Sequence, residues 1–314
     1  MMRPLFLLAT LLAGTSTTAS AQDIVPAQAT TELDPCQLPL PHGTAPQAQA
    51  LVRSACNEHR LWHSPFIDRQ GRLARLPVTE AENGMLADDG LRAWQRVAAY
   101  WLGSNTLHRT SAHPGSSACL STSSASPATT VDSALCRSFV LDTPWSAAFI
   151  SWLMMQAGVY DFPASAAHLD YIAASHQQRG PYRLSDPYQT RIRPGDLLCH
   201  LRGRSDDLDY QGLLTALSAG QTGGWQSHCD LVVASNPGGN RTSYTIGGNV
   251  LNAVTMRLLA VNERGALVTP AAGSPQDCAV QQPQLCSLNP PRWIALLQLR
   301  GPDPAPLAAT TDTP

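Results

Sequence analysis

The sequence predicts an α+β fold, with helices from the N-terminal half packed on an antiparallel β-sheet from the C-terminal half. Three observations predict it. From Leu91 to Ala174 the chain contains apolar residues at helical spacing. From Ser227 onward, short apolar runs are separated by turn residues. Between two of those runs lies Asn236-Pro237-Gly238-Gly239-Asn240, a dense turn signal that folds them into a hairpin.

In chain order, the first residues read as an export leader. Arg3 gives a positive start, Leu5 to Ala13 an apolar core, and Ala19-Ser20-Ala21 a small-residue cleavage site. The apolar run is too short to span a bilayer, so no transmembrane segment is expected. Four segments follow: a leader over 1–21, an N-terminal extension over 22–85, a main domain over 86–300 and a disordered tail over 301–314. A periplasmic or secreted location is expected.

All 21 basic residues are arginine, and the net charge is −2. The absence of lysine excludes a lysine nucleophile, a Schiff base and a P-loop, and the charge excludes a nucleic-acid footprint. Charged residues are 14 % of the chain, against roughly a quarter in an average domain, which leaves ample apolar material for a core.

Eight cysteines, an even number, fit a disulfide framework in an exported protein. Sequence neighbours suggest Cys36–Cys56, Cys119–Cys136 and Cys278–Cys286, leaving Cys199–Cys229, which fall in strands expected to be adjacent. No C-x-x-C spacing occurs, so no zinc-type metal site is predicted, and no cofactor is expected.

The extension is proline-rich and then helical near Ala45–Trp62. Leu91 to Trp101 forms an amphipathic helix with Leu91, Trp94, Val97, Ala98 and Trp101 on one face. Ser104 to Ser138 is rich in Ser, Thr, Ala and Pro and reads as a long surface loop pinned by Cys119 and Cys136. Next comes Thr143-Pro144-Trp145-Ser146. Thr143 suits an N-cap, Pro144 the first helical position, and Trp145, Phe149 and Trp152 a buried stripe ended by Gly158. A second helix is expected over Ser165–Ala174. Arg193-Pro194-Gly195-Asp196 turns into a strand at Leu197–Leu201, followed by a polar excursion over 202–226. Strands then occupy 228–235, 241–249, 253–261 and 292–300.

Ser146 falls in a first helical turn, among unpaired backbone N–H groups at the positive end of the helix dipole. It is either a nucleophile in that setting or one more helix-start hydroxyl. Centring the hairpin near Gly238 puts His228 opposite Gly248 or Asn249, and opposed residues point to one face. Asn249 is thus the expected orienter of His228, with Asp230, on the same strand face, as the alternative. A nucleophile on a helix followed by a histidine and an asparagine on a hairpin is the papain-type order. His168, in the first turn of the second helix, could line the same cleft, as could Trp145. The remaining histidines, His200 among them, form no constellation.

These residues also carry a resemblance. PWSAAFISWLMMQAG, SAAHLDYI, RPGDLL, HCDLVV and IGGNV, in that order over residues 88–300, resemble the bacterial family catalogued as domain of unknown function 2272. More distantly, the chain is similar to the CHAP and NlpC groups of papain-like peptidoglycan amidases and endopeptidases. The resemblance implies a papain-like fold, with Ser146 on the nucleophile position, His228 on the base and Asn249 on the terminal asparagine. Two departures stand out. Serine replaces the cysteine, whose thiol ionises near a pKa of about 8.5, and Gly247 stands where CHAP enzymes carry an acidic residue. Three functions follow as expectations: an exported hydrolase of peptidoglycan peptide bonds, an inactive module binding peptidoglycan or another envelope component, and a serine esterase or acyl hydrolase.

Overall fold

The computed structural model describes residues 34–80, 84–87, 90–110, 112–122, 129–203, 208–269, 278–290 and 292–301. The expected leader, the extension up to residue 33 and the tail from 302 lie outside them. Residues from Asp34 onward form one compact unit, so the described part of the extension shares the body of the main domain.

Among the described residues, seven α-helices and eight strands make a mixed α+β architecture. The helices are α1 Pro46–Leu61, α2 Ala93–Gly103, α3 Ala118–Thr122, α4 Thr130–Asp142, α5 Ser146–Gln156, α6 His168–His176 and α7 Tyr210–Ala219. The strands are β1 Phe66–Ile67, β2 Leu73–Arg75, β3 Tyr182–Ser185, β4 Leu197–Arg202, β5 Gln226–Ser235, β6 Thr242–Val250, β7 Ala253–Ala260 and β8 Ala295–Leu299. They form a single sheet in the order β2-β1-β7-β6-β5-β4-β8-β3. Every pairing is antiparallel except β1 with β7.

The β5–β6 hairpin forms as its turn residues dictate. Asn236, Gly238 and Gly239 all take positive φ there, a conformation that asparagine and glycine tolerate best. Strand alternation sends β4 and β5 side chains to two cores. Leu197, Cys199, Leu201, Cys229 and Leu231 join the large core with the helices. Leu198 and Val232 join a smaller core with Trp293 and Leu296.

Helix α5 is the buried centre of the helical side, with every residue from Ser146 to Met154 buried. It packs against α1, α2, β5 and β6, which is why its sequence is apolar almost all round rather than striped. Its start differs from the expectation. Thr143 does not cap it; that residue is extended, at φ −116° and ψ 115°, just after α4. A residue before proline is pushed out of the helical region, so the chain passes extended through Thr143 and the helix opens at Ser146.

The expected surface loop over 104–138 is another correction. It contains α3 and α4, cross-linked by Cys119–Cys136. Helix α4 is N-capped by Thr129, whose hydroxyl accepts the Asp132 N–H at 3.0 Å. It buries Phe139 against Trp101, with ring centroids 5.5 Å apart. The polar excursion over 202–226 likewise contains α7, capped by Asp209, which accepts the Gly212 N–H at 2.8 Å. All four anticipated disulfides are present: Cys36–Cys56, Cys119–Cys136, Cys199–Cys229 and Cys278–Cys286.

Candidate active site

Ser146 is the first residue of α5. The first intrahelical bond there runs from the Phe149 N–H to the Trp145 carbonyl, at 2.9 Å. The amides of Ser146, Ala147 and Ala148 therefore precede the ladder and carry the positive end of the helix dipole. Its hydroxyl oxygen lies 2.7 Å from His168 Nε2. His168 is itself the first residue of α6, and its Nδ1 meets the Tyr171 phenol three residues on, the spacing that brings two side chains onto one helix face.

Two tautomers of His168 satisfy both contacts. In one, Nδ1–H donates to the Tyr171 oxygen and the serine hydroxyl donates into Nε2. In the other, both directions reverse. Only the first leaves a basic nitrogen on the serine. Burial holds the His168 imidazole well below its ordinary pKa, helped by neighbouring His228 and the charge of Arg202, so the ring is neutral near pH 7.

His228 does not hold the hydroxyl, contrary to expectation. Its ring stands 5.2 Å from that of His168, centroid to centroid, and its Nε2 bonds Asp230 Oδ1 at 2.8 Å. The physical reason is alternation: His228 and Asp230 are two apart on β5 and share a face. The Asp230 carboxylate also accepts from the Thr245 hydroxyl at 3.2 Å and pairs with Arg257 Nε at 3.3 Å. Burial pushes its carboxyl up while Arg257 pulls it down. Beyond it, His200 lies opposite His228 in the β4–β5 register, with ring centroids 5.4 Å apart.

Asn249, the expected orienter, has no side-chain hydrogen bond among the described residues. It sits at φ 57° where the β6–β7 ladder breaks register between Gly247 and Val250. That break turns it away from a regular opposed pair. Asp230 takes its place, and Gly247 explains how. A Cβ at Gly247 would stand 1.9 Å from Asp230 Oδ1 and 3.0 Å from His228 Nε2. The space an acidic residue at 247 would need is already filled by the carboxylate from β5.

Trp145 does not line a cleft. It is fully buried, stacked between Trp62 at 5.7 Å and Tyr100 at 5.6 Å. As a large apolar ring directly before α5, it is drawn into the aromatic core that anchors the helix. Sequence reasoning flagged His168 and Asp230 but passed over Tyr171, His200, Thr245, Arg202 and Arg257. The i+3 spacing of Tyr171 and the opposed register of His200 are the signals that point to the first two.

The assembled groups can move a proton. Ser146, His168 and Tyr171 form one hydrogen-bonded chain, and His228 with Asp230 forms a second beside it. Among the described residues no cluster of three or more His, Cys, Asp or Glu side chains is arranged to hold a metal ion. No curated protein matches the chain, and no solved structure does either. A family model described as "Uncharacterized protein conserved in bacteria (DUF2272)" matches residues 88–299, two-thirds of the chain and a span that holds all five of these residues. The chain belongs to the DUF2272 family.

Proposed function

We propose that this protein is an exported hydrolase that cleaves an amide bond of peptidoglycan peptides, with Ser146 as nucleophile and His168 as its general base. The observation that carries the reading is the 2.7 Å contact between the Ser146 hydroxyl and His168 Nε2 at the open end of α5. Serine needs a base to ionise as it attacks, and a neutral buried imidazole is one. The Ser146 proton passes to Nε2 as Oγ adds to the carbonyl carbon. The first-turn amides stabilise the oxyanion. His168 returns the proton to the leaving nitrogen as the C–N bond breaks, and water then hydrolyses the acyl-serine. The papain-like layout is supported by a nucleophile helix packed on an antiparallel sheet. Export is supported by the leader-like start and four disulfides; no helix among the described residues is long and apolar enough to cross a membrane. The choice of peptidoglycan rests on the resemblance to the CHAP and NlpC amidases.

One observation favours a second reading, an inactive module binding an envelope component. Ser146 is only 6 % exposed and His168 3 %, as in a structural polar network. Purified protein incubated with peptidoglycan sacculi separates the two. Release of new amino groups, lost in both Ser146→Ala and His168→Ala, is the outcome expected of the hydrolase. Binding of sacculi with no release, and no labelling of Ser146 by a fluorophosphonate, would hand the site to the binding module. Labelling of Ser146 with turnover only of ester substrates would make it an esterase.

A further inference from the structure

The rim of this site carries a cation that forms no ion pair among the described residues, the buried Asp230 carboxylate acting on it only at a distance. Arg202 ends β4, two residues after His200, and pairs with Gln226 in the β4–β5 register. Alternation therefore places Arg202 on the face that carries His200, His228 and Asp230. Unlike those three buried residues, Arg202 is exposed. Its guanidinium makes no hydrogen bond or ion pair among the described residues. It is nevertheless close enough for its charge to depress His168, His200 and His228.

Two nitrogens on this face lack hydrogen-bond partners among the described residues. The Nδ1 of His200 contacts the Leu201 carbonyl at 3.0 Å. A carbonyl only accepts, so Nδ1 carries the proton and Nε2 is a bare lone pair. The Nε2 of His228 faces a carboxylate, so it donates and Nδ1 is bare. Both bare nitrogens are buried without a hydrogen-bond partner. A buried acceptor left empty is costly, and neither neutral ring offers Arg202 an anion.

We infer that Arg202 is a specificity-determining residue that binds the free terminal carboxylate of a peptide substrate. This rests on the hydrolase reading and narrows it to peptides cleaved near a free carboxyl terminus. The planar guanidinium fork matches a carboxylate in a way no neutral side chain does.

The test is equilibrium binding by calorimetry to full-length protein carrying Ser146→Ala, so that any substrate stays intact. The probes are an N-acetylated stem tetrapeptide with its terminal D-alanine as the free acid, and the same peptide as the carboxamide, all other acids amidated. The free acid binds more tightly, on the order of tenfold. Adding Arg202→Gln removes that preference while leaving the carboxamide affinity unchanged, and Arg202→Lys restores part of it. Equal affinity for the two peptides, binding of neither, or a preference that survives Arg202→Gln overturns the inference. Failure of the hydrolase reading shows separately, as absence of turnover by the wild type with the carboxylate preference intact.

Discussion

At the scale of single residues, the site turns on which way one imidazole faces. His168 has both nitrogens engaged, Nε2 on Ser146 and Nδ1 on Tyr171. Replacing Tyr171 by Phe removes the hydrogen bond at Nδ1, and with it the phenol oxygen that holds Nδ1–H in the tautomer whose Nε2 faces the serine as a base. The expected outcome is a fall in the rate of Ser146 labelling on the order of tenfold. The stability loss is on the order of 1 kcal/mol. Comparing labelling rates with chemical denaturation of the same variant checks this, since a purely structural phenol would move stability and leave the labelling rate where it was. The His168–Ser146 contact was only partly legible in the sequence. Both residues open helices, a position that a pattern can read. Their meeting across 22 residues is a product of tertiary packing that no local period encodes. Asp230 was legible as an orienter, because H-x-D in a strand puts both side chains on one face. Its precedence over Asn249 was not, because it depends on the break in the β6–β7 ladder.

At the scale of elements, the strands were the most readable part. The turn at Asn236–Asn240 and alternation along 228–235 and 241–249 predict β5 and β6 to within two residues at either end. Helix α4 was unreadable for a physical reason. Cys136, Phe139 and Val140 are buried, but Val131, Leu135 and Leu141 are exposed, so apolar residues point both ways and no stripe appears. The β4–β5 pair is further tied by Cys199–Cys229, opposed in register and 30 residues apart. Strand alternation puts this bond in the helix-side core, away from His200 and His228. Replacing both cysteines by alanine is expected to cost about 3.5 kcal/mol on loop entropy alone. The proton chemistry of the site should survive wherever the variant remains folded. Denaturant unfolding gives the first quantity and fluorophosphonate labelling the second; loss of labelling in a folded double variant would place the disulfide in the site's own support.

At the scale of the whole molecule, the described part of the N-terminal extension is structural. Helix α1 brings Glu58 into the core, where it accepts from Arg96 Nε at 2.9 Å and from the Tyr100 hydroxyl at 2.5 Å. Tyr100 in turn accepts from the Trp62 indole at 2.9 Å. These groups back the aromatic cluster around Trp145 and so hold the start of α5 from behind. Glu80 reaches the same region from the other side, its N–H bonded to the Asn252 carbonyl at 2.9 Å.

Glu80 also sets a pH dependence for the fold. It is only 3 % exposed, and burial raises its carboxyl to about 7, against smaller downward pulls from its own backbone amide and the Trp145 indole. A carboxyl whose folded pKa lies above its unfolded value binds its proton more tightly in the folded state. The resulting stability is fully present below the unfolded value of 4.5 and is lost as pH rises toward 7. His168, His200 and His228 act in the opposite sense. Burial lowers all three, so their stability is present above the ordinary value of 6.5 and lost as pH falls. A plain pH profile mixes both, whereas Glu80→Gln isolates one, because an amide keeps the shape and cannot titrate. The melting temperature of Glu80→Gln relative to wild type should rise steadily from pH 4.5 to about 7 and stay level above it, since beyond the folded pKa no further proton is lost in either state. A difference that stays constant from pH 4 to 8 would mean that Glu80 ionises as freely in the folded protein as in the unfolded chain, and that the entry to α5 is wetter than its packing implies.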